Sequence, residues 1–253
     1  MHLKKRIANA LLRKLLPQPV QARHAEYSML FSADDDISQP SPYLLSIALQ
    51  AVQQAQQVSL ASIAARMPTP PYYPEIWPGE NYKLLAGLVT VLKPKLVIEI
   101  GTGGGTSTLA IKQFLPREAT LVTFDILGWN SWPGCLLRED DFLGGQLVQS
   151  TDDLSQRPVF ARHQALFEHT DIIFCDAAKD GVMEHRLLDN LSAVSFRTKP
   201  LLIFDDIRLW NMLRIWRRIP FPKLDLTSFG HWTGTGIVEW GTQPLVSVEP
   251  TIS

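Results

Sequence analysis

The chain has 253 residues, which allows one large domain or one domain with an appendage. Hydrophobic residues make up 45% and charged residues 19%, an ordinary globular composition that excludes collagen-like, coiled-coil and disordered chains. Lys and Arg number 24 and Asp and Glu 25, so the formal charge of -1 exerts no overall pull toward polyanions, and no nucleic-acid partner is expected.

In chain order, Met1 to Leu16 reads as a short basic amphipathic helix, with Leu3, Ile7, Leu11 and Leu15 at helical spacing among Lys4, Lys5, Arg6, Arg13 and Lys14. Such a helix suits peripheral docking on a membrane or a partner, and equally packing on the protein body or on a second subunit of a homodimer. Charge interrupts its apolar stretch and no small-residue cleavage pattern follows, so it is not read as a signal peptide. Ser32 to Pro42 and the proline-rich Met67 to Gly79 punctuate the chain, and Tyr43 to Arg66 between them is helical in pattern. Residues 1–79 are therefore expected to form a helical extension or cap, and 80–253 the main domain.

From Asn81 onward strands alternate with helices. Helices are expected at Tyr82 to Leu92, Thr106 to Phe114, Met183 to Val194 and Arg208 to Arg218. Strands are expected at Leu96 to Ile100, Thr120 to Phe124, Gln146 to Val148, Ile172 to Cys175, Leu201 to Phe204, Lys223 to Thr227 and Gly236 to Trp240. The fold class is α/β, a doubly wound, mostly parallel seven-stranded sheet with its ligand at the carboxyl ends of the strands. No apolar run reaches the ~18 residues of a membrane span. The two cysteines, Cys135 and Cys175, are too few for a disulfide framework, so a soluble protein of a reducing compartment, the cytoplasm, is expected.

The strongest local signal is Val97-Ile98-Glu99-Ile100-Gly101-Thr102-Gly103-Gly104-Gly105-Thr106-Ser107, a buried strand that runs into a glycine-rich turn and a helix. Glycines there permit a tight turn and let a ligand approach the backbone. The dinucleotide pattern G-x-G-x-x-G fails because Thr106 stands at its third glycine, and no Gly-Lys-Ser/Thr follows to make a phosphate-binding loop. The segment resembles the first motif of class I S-adenosylmethionine-dependent methyltransferases. The resemblance implies S-adenosylmethionine as cofactor, its methionine and ribose parts wrapped by Glu99, Gly101, Thr102, Gly103, Gly105, Thr106 and Ser107. Asp125, ending the next strand, would hold the ribose hydroxyls, since a carboxylate accepts two hydrogen bonds side by side. Thr151 and Asp152 fall where that family contacts adenine. Singly, each element is also explained by a tight βα turn or a capping Asp.

Two later strands end in acid: Ile172 to Cys175 is followed by Asp176, with Lys179 three positions on, and Leu201 to Phe204 is followed by Asp205 and Asp206. If the two strands are neighbours, about 4.8 Å apart, these carboxylates share one edge of the sheet. Converging carboxylates repel unless a cation or protons neutralise them, and oxygen ligands favour a hard divalent ion such as Mg²⁺. Here the pattern is similar to the metal-dependent catechol and caffeoyl-CoA O-methyltransferases. That resemblance implies Asp176, Asp205 and Asp206 as metal ligands, Asp176 close to the transferring methyl, and Lys179 as a general base with its pKa lowered by burial and the cation. The chain departs from that group in having Gly181 and Val182 where an aromatic residue is usual, and Asp206 where asparagine is common. Alternatively Asp176 is a strand-end residue near the transferring methyl, Asp205 and Asp206 cap the helix of Arg208 to Arg218, and Lys179 is solvated.

The expected partner is a small hydroxylated substrate, a catechol or vicinal diol. A sugar-hydroxyl or macromolecule methyltransferase of the same fold, and a non-catalytic S-adenosylmethionine-binding protein, are the alternatives. Trp210, Met212, Leu213, Trp216 and Ile219 form an apolar stripe of core type. His231, and Tyr72, Tyr73 and Trp77 of the proline-rich segment, are further candidates to line the acceptor pocket.

Overall fold

The computed structural model describes residues 39–209 and 211–241. The basic helix expected over Met1 to Leu16, and Trp210 of the apolar stripe, lie outside the described residues. The helices are α1 (Pro42–Ala55), α2 (Ala61–Ala64), α3 (Tyr82–Leu92), α4 (Thr106–Phe114), α5 (Arg157–Glu168), α6 (Met183–Ser192) and α7 (Met212–Arg218). The strands are β1 (Leu96–Ile100), β2 (Thr120–Phe124), β3 (Leu147–Ser150), β4 (Ile172–Cys175), β5 (Leu201–Asp205), β6 (Lys223–Asp225) and β7 (Thr235–Glu239).

The seven strands form one sheet in the order β3-β2-β1-β4-β5-β7-β6. β3, β2, β1, β4 and β5 run parallel, while β7 is antiparallel to both β5 and β6. This is the doubly wound α/β sheet expected. Successive residues of the inner strands feed opposite layers, as the twofold period of a strand requires. Val97, Leu121, Ile172 and Ile203 join one core with α1, α3 and α4. Ile98, Val122, Ile173 and Leu202 join the other with Phe160 and Phe167 of α5, Leu187 of α6 and Trp216 of α7.

α1 belongs to the first of these cores. Ser41 caps it, its Oγ accepting from Leu44 N at 3.1 Å, and Pro42 occupies the first turn. Its small residues face α3 so closely that a Cβ on Gly87 would stand 2.4 Å from the Ala51 carbonyl oxygen. A glycine inside a helix costs about 1 kcal/mol relative to alanine, and here it permits the two backbones to meet.

The strands match expectation to within two residues at each end. The helices differ more. The single pattern over Tyr43 to Arg66 is two helices, because the chain turns after Ala55 to bury Val58 and Leu60. The helix expected from Arg208 starts at Met212: Ile207 N and Arg208 N instead donate to the carbonyls of Gly234 and Thr233, which ties this stretch to the loop before β7. α5 was not expected; it buries only Phe160 and Phe167, seven positions apart, too thin a stripe for periodicity to register. Its legible signal was Pro158, a proline in a first helical turn.

Candidate active site

The order of the strands reverses between β1 and β4, and there their carboxyl ends open a cavity of about 710 Å³, within the ~300–1,000 Å³ range of small-molecule sites. Gly101 to Ser107, Asp125, Asp152, Asp176, Lys179 and Asp206 line it, joined by Tyr82, Trp132, Asp153 and Leu154.

At one end the glycine loop shapes the wall. Gly101 has φ +101°, and a Cβ on it would lie 2.0 Å from the Asp176 carbonyl oxygen, so the loop passes against the end of β4 with no room for a side chain. Gly103 N donates to Asp125 Oδ2 at 2.9 Å, and Leu127 N to Oδ1 at 3.1 Å. Each oxygen of Asp125 therefore keeps accepting capacity beside the cavity. Glu99 lies under the loop, fully buried, and does not line the cavity. Ser107 Oγ and Thr108 Oγ1 donate to its two oxygens at 2.6 and 2.5 Å. Burial pushes its pKa up to about 7 against the restraint of these hydroxyls. Its place is to anchor the loop to the start of α4. Thr102 lines the cavity with its hydroxyl turned inward, 2.7 Å from Thr123 Oγ1.

Thr151 is exposed and outside the cavity lining. Asp152 lines the cavity, but its carboxylate is taken by His163 Nε2 at 2.7 Å, Ser150 Oγ at 2.9 Å and Arg162 Nη2 at 2.7 Å, contacts that hold it below the usual carboxylate range, His163 foremost. Asp153 and Leu154, the next two residues, also line the cavity, although nothing in their local sequence distinguishes them from Thr151 and Asp152.

At the other end Asp176, Lys179 and Asp206 line the cavity, and contacts with Glu80, Asp205 and His231, which are outside the lining, gather charge from four segments. The register pairs Cys175 with Phe204, so Asp176 and Asp205 end adjacent strands side by side, as expected. Lys179 Nζ contacts Asp176 Oδ1 and lies 2.6 Å from Asp206 Oδ2. The expected lowering of the Lys179 pKa is reversed: burial acts to lower it, but the two carboxylates outweigh burial and raise it. Lys179 is therefore an ammonium in this arrangement, and Asp176 is a partner of Lys179. Neither Asp205 nor Asp206 caps a helix. Both are buried, and Asp206 has φ +59°, a left-handed conformation that surrounding contacts must enforce.

His231 completes the cluster. Its Nδ1 lies 3.1 Å from Asp206 Oδ1 and 3.4 Å from Asp205 Oδ2, and its Nε2 lies 3.7 Å from Glu80 Oε2. Burial alone would lower its pKa; the bonds to Asp205 and Asp206 carry it up to about 10. Asp205 moves the opposite way to Asp206. Burial and the neighbouring carboxylates raise Asp205, while bonds from His231, Lys179 and Thr233 overcome burial and hold Asp206 well down. Tyr82 lines the cavity beside this cluster; burial, then Glu80, Asp176 and Asp205, raise its pKa, so its phenol remains a donor. One ligand atom from each of Asp205, Asp206 and His231 lies within 4.8 Å of the others, a donor set that fits a divalent cation. Among the described residues this set has His231 where Asp176 was expected.

His231 does not line the cavity, and neither do Tyr72, Tyr73 and Trp77. The end of their segment is instead stitched to the loop that carries His231: Gly79 N donates to the Gly230 carbonyl at 3.0 Å, Trp232 N to that of Gly79 at 3.1 Å, and Trp77 Nε1 to that of Phe229 at 2.9 Å. Glu80, Tyr82, Thr233 and Thr235 carried no motif signal, because each acts through a partner distant in sequence. Among the described residues no helix is long and apolar enough to cross a membrane.

No protein-family model matches the chain, and no curated protein matches it. Among solved structures it is similar to a methyltransferase of Podospora anserina bound to S-adenosylhomocysteine, with 15% identity over 81% of this chain and 91% of that one and a TM-score of 0.47. It is also similar to a methyltransferase of Geobacter sulfurreducens, with 16% identity, 92% and 95% coverage and a TM-score of 0.46. A third is an O-methyltransferase of Bacillus cereus in complex with S-adenosylhomocysteine, with 17% identity, 74% and 90% coverage and a TM-score of 0.44.

Proposed function

We propose that this protein is an S-adenosylmethionine-dependent O-methyltransferase of a small hydroxylated molecule, a catechol or vicinal diol. The observation that carries the reading is one cavity with two unlike ends: a glycine loop bonded through Gly103 N to Asp125, and the Lys179–Asp176–Asp206 cluster. Asp125 has the free accepting capacity a ribose diol uses, and Gly101 to Gly105 leave the backbone open to the rest of the cofactor. Ile126, Leu127 and Trp132 supply an apolar wall next to Asp125. When bound, S-adenosylmethionine would supply a sulfonium methyl group for direct displacement: the O–C bond to the acceptor forms as the S–C bond breaks, S-adenosylhomocysteine leaves, and the hydroxyl proton passes to solvent.

At the far end the side chains select and hold the acceptor. The Lys179 ammonium stabilises negative charge on an acceptor oxygen, an electrostatic role in place of the general-base role its motif implies. Tyr82 offers a hydroxyl donor beside it. Asp205 and Asp206 are the carboxylates that would hold a divalent cation, Mg²⁺ by their oxygen chemistry alone. Such an ion, when bound, lowers the pKa of a coordinated hydroxyl. Residues 80–253 form the catalytic domain in this reading, and 1–79 an extension whose helix α1 is built into its core.

Calorimetric titration with S-adenosylmethionine, followed by turnover on a panel of catechols and diols with and without excess EDTA, tests the reading. Binding of the methyl donor and methylation of one acceptor class are expected, with activity lost in EDTA. Absence of donor binding sinks the proposal, and full activity in EDTA removes the metal from it.

A further inference from the structure

Asp206 uses its two oxygens for different neighbours. Oδ2 meets Lys179 Nζ on the cavity side, whereas Oδ1 meets Thr233 Oγ1 and His231 Nδ1. Asp205 Oδ2 faces the same imidazole nitrogen. The separations from Nδ1, 3.1 and 3.4 Å, are close to the distance between neighbouring ligands around one ion, about 3 Å for octahedral bonds of about 2.1 Å. Each of the three side chains also has an outer partner. Thr233 Oγ1 donates to Asp206, Thr235 Oγ1 donates to Asp205 Oδ1 at 3.5 Å, and Glu80 faces the far nitrogen of His231. Such outer contacts orient metal ligands, a carboxylate behind a histidine above all. The histidine backbone is fixed as well: His231 N donates to Thr235 Oγ1 at 2.9 Å, and a bridge pairs His231 with Gly79. Asp176 pairs with Lys179, as Asp206 does through its other oxygen, but it is not in the group whose ligand atoms lie within 4.8 Å of one another.

We propose that the cation of this site is held by Asp205, Asp206 and His231 Nδ1, the ion displacing the proton that these carboxylates otherwise hold on the imidazole, with Asp176 outside the ligand set, and that it is a first-row transition ion such as Mn²⁺ or Co²⁺ in preference to Mg²⁺. A nitrogen donor is the reason: imidazole suits transition ions, while Mg²⁺ favours an all-oxygen shell. This deepens the methyltransferase reading and rests on it only for the reaction that the ion would serve.

The test uses the full-length protein, stripped with EDTA, and measures binding of MnCl2, CoCl2 and MgCl2 by calorimetry with neither methyl donor nor acceptor present. Electron spin-echo spectra of bound Mn²⁺ should show modulation from one imidazole nitrogen, absent in His231→Gln. The same variant should lower Co²⁺ affinity about 10–100-fold and Mg²⁺ affinity by less than about threefold. Asp176→Asn should leave Co²⁺ affinity within about threefold. The assignment is overturned by wild-type Mn²⁺ protein without nitrogen modulation, by no binding of any of the three ions, or by a loss in Asp176→Asn as large as in His231→Gln. The wild-type spectrum does not depend on either variant folding. With donor and acceptor both absent, a failure here is separate from a failure of S-adenosylmethionine binding.

Discussion

The two ends of the cavity are built by opposite means. The glycine-loop end comes from one continuous strand, turn and helix plus the tip of the adjacent strand, and its contacts run mainly through backbone: Gly103 N and Leu127 N to Asp125, and the Gly101 backbone against that of Asp176. The other end draws Glu80, Asp176 to Lys179, Asp205 with Asp206, and His231 to Thr235 from separate stretches, and its contacts run through charged side chains. A backbone-built site is set by where the chain can turn. A site built from four carboxylates and two cations is set by how charge balances, so removing one member shifts all the others.

The largest expected effect breaks the charged end alone. Lys179→Met should lower kcat about 1,000-fold, the scale of losing one electrostatic donor, while S-adenosylmethionine affinity in calorimetry stays within about threefold. An equal loss of both would show that the two ends are not separable. Gly101→Ala attacks the backbone-built end. Its methyl would collide with the Asp176 carbonyl at a φ that only glycine adopts freely, and urea unfolding should show a loss of about 3 kcal/mol or more.

Glu99 sharpens the comparison through pH. Its folded pKa, about 7, lies above the usual 4.5, so the folded protein retains a proton that the unfolded chain has released. The resulting stability is fully present below pH 4.5 and is lost as pH rises through 7, about 3 kcal/mol in all. Glu99→Gln should flatten that slope when urea unfolding is measured at pH 5 and pH 8. An unchanged slope would show that the loop anchor is not titrating. Asp125→Ala should weaken S-adenosylmethionine binding about 10–100-fold, the range for one charged hydrogen-bond acceptor, with unfolding midpoints less affected than in Gly101→Ala.

Periodicity was enough for the inner strands because Leu96 to Ile100 and Ile172 to Cys175 are buried on both faces and read as short apolar runs between turns. It was not enough for α5, where two phenylalanines do the packing, or for the break after Ala55, which depends on Leu60 finding the core. Within the site, Gly101 to Ser107 and Asp125 were legible because a tight turn needs particular residues at fixed local spacing. Glu99 was legible as part of the same motif, although its place under the loop was not. His231 stands 25 residues from Asp206, with no spacing rule to join them.

By itself the sequence determined a parallel α/β sheet, a glycine turn at the end of its first strand, and acidic residues at the ends of three more. These are consequences of local conformational preference and of burial with a short period. Only the tertiary structure decided which charges meet. Strand order set Asp176 beside Asp205, and the loop that leads into the antiparallel β7, tied to Gly79, brought His231 against Asp205 and Asp206. That packing also reversed the expected state of Lys179. A side chain's pKa follows from neighbours in space, and two carboxylates within contact distance outweigh burial.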